Sequence, residues 1–261
     1  MKVMPDTTIR IANAEAVSLE LDVDTRIVAV RLLPRFGDEQ EILLVDGSFE
    51  FPMYSAPNTV NIEWLTASNS KEAAFVSFVT VVSRHYFSLA QLRSHDVEQD
   101  RFNDVEEFPV EMLWAARQAA TDVFEQAARR SFVHLIGRTK DYGRDSLVNL
   151  NHGDVYELLS PGYVQVSDSQ LERDPRALAQ PFPRWVEYKF GADEMPAEVS
   201  RAVLELAAYT MRPSNRPIGA TGESSDAGYI HFTTAGRDGA TAIPEVNAAI
   251  EQFGRGCRYA W

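Results

Sequence analysis

The stretch TTAGRDGATAIPEVNAAIEQF, Thr233–Phe253, joins two incompatible patterns. Its first half is polar and broken by Gly236 and Gly239; its second, from Pro244, carries apolar residues at helical spacing. Ile243, Val246, Ile250 and Phe253 form one stripe and Gly254 follows it, which predicts a helix over PEVNAAIEQF. Upstream the polar run extends through RPIGATGESSDAGYIHF. Unstructured loops of that length are uncommon within compact domains and mark a working segment or disorder.

Moving outward, MPAEVSRAVLELAAYTM places Val199, Val203, Leu206 and Thr210 on one helical face, with Pro196 near the start and Pro213 beyond the end. PVEMLWAARQAATDVFEQAARRSF does the same with Leu113, Ala116, Ala120, Val123 and Ala127. Pro109 suits its first turn, Glu107 and Glu111 lie at its positive end, and Arg129 and Arg130 at its negative end. Between these helices the period is unclear. Short pieces such as SLVNL, VYELL, YVQV and VEYKF read as strands, and DPRALAQPFPRW reads as irregular.

From Thr8 to about Phe87 the apolar residues mostly alternate. VSLELDV and NTVNIEWLT are the clearest cases, and turn-forming stretches such as PRFGDEQ and VDGSFEFP separate the runs. Five or more strands in so short a span predict a small antiparallel sandwich. Charge-dense residues 88–108 read as a connection with a short helix at its start. The expected fold class is α+β: a β-sandwich-like domain over 1–87, a linker over 88–108, and a mainly helical domain over 109–261 with a long loop or β-hairpin. No internal repeat is visible.

The 261 residues carry a net charge of −13, which argues against a protein that grips nucleic-acid phosphates. Cys257 is the single cysteine, so no intrachain disulfide forms and a reducing compartment is the simplest setting. MKVMPDTTIR lacks an apolar core, so no secretory signal is expected, and no apolar run approaches a membrane span.

Catalytic constellations are sparse. Ser68 and Lys71 have a nucleophile–base spacing but sit in a polar turn. His152 with Asp154, and Asp22 with Asp24, fall short of the three or four donors a metal needs. GATGESSDAGYIHF lacks both the phosphate-loop lysine and the nucleophile elbow. The expectation is therefore no enzyme, no catalytic residue, no metal and no cofactor.

The order of elements carries a resemblance. A helix ending at ARRSF, an irregular β-like segment, a helix opening with Pro196 and Glu198, and AGRDGATAIPEVN entering a last helix together resemble the head-to-tail connector (adaptor) proteins of long-tailed bacteriophages. The resemblance covers about 88–261, most specifically 228–253. It implies a structural virion protein forming a homo-oligomeric ring, twelve-fold as a portal would impose, beneath the portal protein. The ring would extend the DNA channel and receive a stopper or tail terminator. DNA would pass the lumen without specific binding, and no membrane would be involved. The expected location is the virion neck, with assembly in the host bacterial cytoplasm.

On this reading the glycine-punctuated segment becomes a hairpin offered to a neighbour or partner, through Gly222, Glu223, Asp226, Tyr229, His231, Arg237 and Asp238. Arg255, Arg258, Tyr259 and Trp261 in the tail are further contact candidates. The competing expectation is another phage or surface structural protein, with the β-sandwich as a binding module on a helical anchor.

Overall fold

Alternation in the first third is strong enough to dictate sheet. In a computed structural model of the chain, residues 1–13, 15–95, 101–174, 181–212, 222–225, 228–231 and 240–255 are described. Eight strands precede His85: β1 (Lys2–Val3), β2 (Thr8–Ala12), β3 (Ser18–Leu21), β4 (Ala29–Pro34), β5 (Gln40–Leu43), β6 (Ser48–Glu50), β7 (Asn58–Leu65) and β8 (Phe75–Val82). They form a five-stranded sheet, β2-β8-β7-β4-β5, and a three-stranded sheet, β1-β3-β6. Val60, Ile62 and Trp64 of β7 are buried while Asn61 between them is exposed, as a half-buried strand requires. Phe49 of β6 meets Trp64 edge-on, with centroids 5.7 Å apart, and Trp64 donates from Nε1 to Ser77 Oγ at 3.1 Å.

These sheets are mixed and not wholly antiparallel. β2 pairs parallel with β8, and β1 with β3. Long connections separate both pairs in sequence, so no tight turn forces the strands to run oppositely.

Six more strands follow: β9 (Leu135–Asp141), β10 (Leu147–Asn149), β11 (Val155–Leu158), β12 (Tyr163–Ser167), β13 (Gln170–Arg173) and β14 (Arg184–Phe190). They build two antiparallel three-stranded sheets, β11-β14-β9 and β10-β13-β12. LIGRTKD does not read as a strand because its inward face is Leu135, Gly137, Thr139 and Asp141, small and polar rather than apolar. Gly137 is needed there: a Cβ would stand 2.7 Å from the Tyr188 ring packed over it.

Helices make up the rest. α1 (Leu89–Arg93) starts from a capping box, in which Ser88 Oγ accepts from the Gln91 amide and the Gln91 side chain accepts from the Ser88 amide. α2 (Val110–Ala128), α3 (Ala197–Met211) and α4 (Pro244–Phe253) pack on one another, and β15 (Gly222–Ser225) pairs with β16 (Gly228–His231) as a hairpin. The class is α+β.

The three long helices fall where their periodicity places them, but their buried stripes shift. On α2 the stripe runs through Leu113, Ala116, Ala120, Phe124 and Ala128, leaving Val123 exposed. A step of four after Ala120 brings the larger Phe124 inward. On α3, Met211 is buried and Thr210 is exposed.

Contacts divide the chain into two units: Met1–His85 with Ser131–Glu194, and Tyr86–Arg130 with Met195–Trp261. Periodicity alone divides it at 87 and 108. Residues 131–194 go with the first strands because β9 packs on β7 and β8. Residues 101–108 belong to the helical unit. Phe102 and Phe108 are buried edge to face, and Arg93 donates to the carbonyls of both, at 2.7 and 3.3 Å.

At the end of β14, Gly191 has φ +126° and a Cβ there would lie 2.2 Å from the Val133 carbonyl oxygen. Gly47 also has positive φ, +80°, but with open space around it. Gly191→Ala should cost roughly 2 kcal/mol or more, lowering Tm by about 4 °C or more, whereas Gly47→Ala should cost about 1 kcal/mol. Thermal unfolding of the two variants beside the wild type checks the difference.

Candidate assembly site

The hairpin lies between two fixed helix ends. α3 closes at Met211, where the Arg212 amide donates to Ala208 O and Tyr209 O. On the return side, Thr241 and Asn247 bond reciprocally: the Thr241 amide donates to Asn247 Oδ1 at 2.8 Å, and Asn247 Nδ2 donates to Thr241 O at 2.9 Å. That pair ties the entry loop to the first turn of α4, where Pro244 supplies a preset φ.

The far end of α4 is seated on the end of α2. Arg129 at φ 52° terminates α2 in the left-handed region. The Arg255 amide then donates to Ala128 O at 2.8 Å, and Arg130 Nη1 donates to Phe253 O at 3.2 Å. A Cβ on Gly254 would stand 3.0 Å from Ala128 O, so the chains touch backbone to backbone. Tyr86 adds a hydroxyl bond to Glu125 at 2.8 Å, and Glu205 of α3 bonds His95 at 2.6 Å.

The residues singled out from sequence fall into three groups. Gly222 stands opposite His231, Glu223 opposite Ile230, and Tyr229 opposite Ser224, so four candidates share the hairpin. Arg255 lies at the α2–α4 seam instead. Asp226, Arg237, Asp238, Arg258, Tyr259 and Trp261 lie outside the described residues, as does Cys257. Within the hairpin the strand GYIH pairs with Gly222–Ser225. Among the described residues that two-stranded sheet joins no other strand.

Groups with chemical potential are engaged structurally. Ser68 donates to Glu41 at 2.9 Å. His152 stacks on Phe190 at 4.0 Å, and its Nδ1 lies 3.0 Å from the Tyr188 hydroxyl, itself 3.0 Å from Thr139 Oγ1. Among the described residues no three His, Cys, Asp or Glu side chains gather as a metal site, and no helix is long and apolar enough to cross a membrane.

Asp141 is a buried carboxylate with several donors. Arg173 grips it with Nη2 at 2.8 Å and Nε at 3.2 Å, Tyr163 donates at 2.8 Å, and the Gly143 amide donates at 2.8 Å. Burial alone would raise its pKa, but these donors outweigh burial and hold it below the ordinary carboxylate value.

Periodicity did not reveal a surface feature on the β9–β14 face. Arg138, Lys140 and Tyr142 project at alternate positions, Lys140 stands opposite Trp185, and Trp185 is 52% exposed. The available signal was the alternation in GRTKDY, hidden by its polar inward positions.

No protein-family model matches the chain, and no curated protein matches it. Among solved structures, a chain from the neck of an empty gene transfer agent particle, computed with C6 symmetry, is similar at 17% identity and a TM-score of 0.35, covering 52% of this chain and 82% of that one. A chain from the virion of the native gene transfer agent particle is similar at 18% identity and a TM-score of 0.34, covering 66% and 90%. Likeness this loose shows neither family nor function.

Because the Asp141 carboxyl is depressed on folding, its contribution is present above the unfolded value of about 3.9 and is lost as pH falls through the folded value. Asp141→Asn should therefore lower Tm at pH 7 and flatten the fall in Tm below about pH 4. Calorimetric scans from pH 7 down to pH 3 check both effects.

Proposed function

We propose that this chain is a structural protein of a phage-like particle, assembling as a ring at the neck between the portal and the stopper or tail. The observation that carries this reading is the hairpin β15–β16, inserted between two anchored helices and joined to no further strand among the described residues. An isolated two-stranded hairpin is marginal in water, so its free edges suit strand addition from an adjacent subunit or partner. The succession of α2, a β segment, α3, hairpin and α4 is also the order on which the resemblance to phage adaptors rests.

Charge supports the same reading. A net −13 limits phosphate contacts, each of which would slow DNA moving through a lumen. The lumen wall is accordingly expected to be acidic, and the ring twelve-fold. The hairpin residues Glu223, Tyr229 and His231 are the proposed contacts, with Arg255 supporting the base of α4.

A second reading has its own support. Exposed Trp185 and Tyr142 share one β face, as a binding or decoration module of a virion surface would require. That reading expects stable monomers.

Deleting Ser224–Asp238 tests the main proposal. The variant should retain its far-UV circular dichroism and melt within a few degrees of wild type, yet fail to enter particle necks, judged by negative-stain imaging and protein composition of purified particles. Necks that contain the deleted chain at wild-type levels would defeat the proposal.

A further inference from the structure

One end of the β9–β14 face gathers Arg138, Lys140 and Arg144 around Trp185 and Tyr142. The Arg138 guanidinium lies 4.8 Å from the Trp185 ring centroid, and Lys140 Nζ lies 5.8 Å from Trp185 and 5.4 Å from Tyr142. Arg144 stands 5.9 Å from Tyr142, which is 59% exposed. Trp, Tyr and Arg are the residue types that dominate binding hot spots, and leaving a Trp half in water is unfavourable. In so acidic a chain, a local positive surface is the part best able to meet another copy without repulsion.

A counterpart exists on the helical unit. A groove of about 560 Å³ between α3 and α4 is lined by Ala202, Ala248 and Ala249, of which Ala202 and Ala249 are buried. Glu198, Glu205 and Glu245 rim it against a single cation, Arg201. Glu198 and Glu245 are exposed and make no ion pair among the described residues, whereas Glu205 is already held by His95 and Arg212. Small alanine side chains along the groove admit a bulky ring, and the carboxylates complement flanking cations.

We propose that the β9–β14 face is the basic half of a head-to-tail contact between copies of this chain, with Trp185 seated in the α3–α4 groove of the next copy. The contact is heterologous, so repeating it generates a ring when the rotation closes. It rests on the ring reading above and names the surfaces that would build the ring. Nucleic acid fits the same face less well: Lys189 is paired with Glu157, and Arg138, Lys140 and Arg144, beside the exposed Asp145, form a small footprint for phosphates.

The test uses the full chain, followed by sedimentation velocity over a concentration series and by incorporation into particle necks. Trp185→Ala should weaken assembly roughly 30-fold, the scale of a hot-spot loss. So should Arg138→Glu with Lys140→Glu, and Glu198→Lys with Glu245→Lys. Combining the two charge reversals in one chain should restore assembly, while circular dichroism melts stay at wild-type values throughout. Variants that assemble and incorporate like wild type would overturn this contact and leave the ring reading standing. A wild-type chain that neither self-associates nor enters necks would remove both. If Arg138→Glu with Lys140→Glu abolishes binding of a fluorescent single-stranded oligonucleotide but leaves assembly unchanged, the contact is overturned in favour of nucleic acid.

Discussion

Arg84 ties together three segments of the β unit that are far apart in sequence. Its Nη2 donates to the carbonyl of Asp193 at 2.8 Å and to that of Phe132 at 3.4 Å, while the Ala192 amide donates to Ser131 O at 3.0 Å. These residues lie beside the three places where the chain passes between units, after His85, before Ser131 and after Glu194. One guanidinium and a short backbone pairing therefore hold residues 84, 131–132 and 192–193 of the β unit together. The close approach of Gly191 to Val133 lies in the same part of the β unit and leaves no space for a side chain. A charged donor shared between two carbonyls contributes more than a neutral bond would.

In the helical unit, order is concentrated at helix ends. The Thr241–Asn247 pair fixes the start of α4, and the backbone contact of Arg255 with Ala128 fixes its finish. Between such anchors a hairpin can present backbone groups without destabilising the core. This separation of a rigid base from an offered strand is what the assembly proposal uses. It needs no reacting group, and the polar side chains that attract attention in the sequence, Ser68 and His152, are occupied by Glu41 and Tyr188.

Legibility in the sequence followed the chemistry of the inward face. α4 spans the ten residues its stripe and terminal Gly254 indicate, and β7 shows the alternation that predicts it. β9 was invisible because Gly137, Thr139 and Asp141 face inward, and their partners Tyr188, Tyr163 and Arg173 come from distant segments. For the same reason the membership of 131–194 could not be read: it depends on β9 meeting β7 and β8, a long-range event without a local signature. The hairpin was legible from its glycines. The basic aromatic face escaped notice because its cations alternate with buried polar groups.

Discontinuity of the β unit has a consequence for synthesis. As the polypeptide emerges from the ribosome, the first 85 residues are complete long before the later strands of the same unit, since β14 ends at Phe190. In the interval α1 and α2 are made, and the parts of β7 and β8 that β9 will meet stand uncovered. Maturation of this unit is therefore tied to translation past Gly191, and slow elongation between Arg130 and Glu194 would prolong its vulnerability to aggregation.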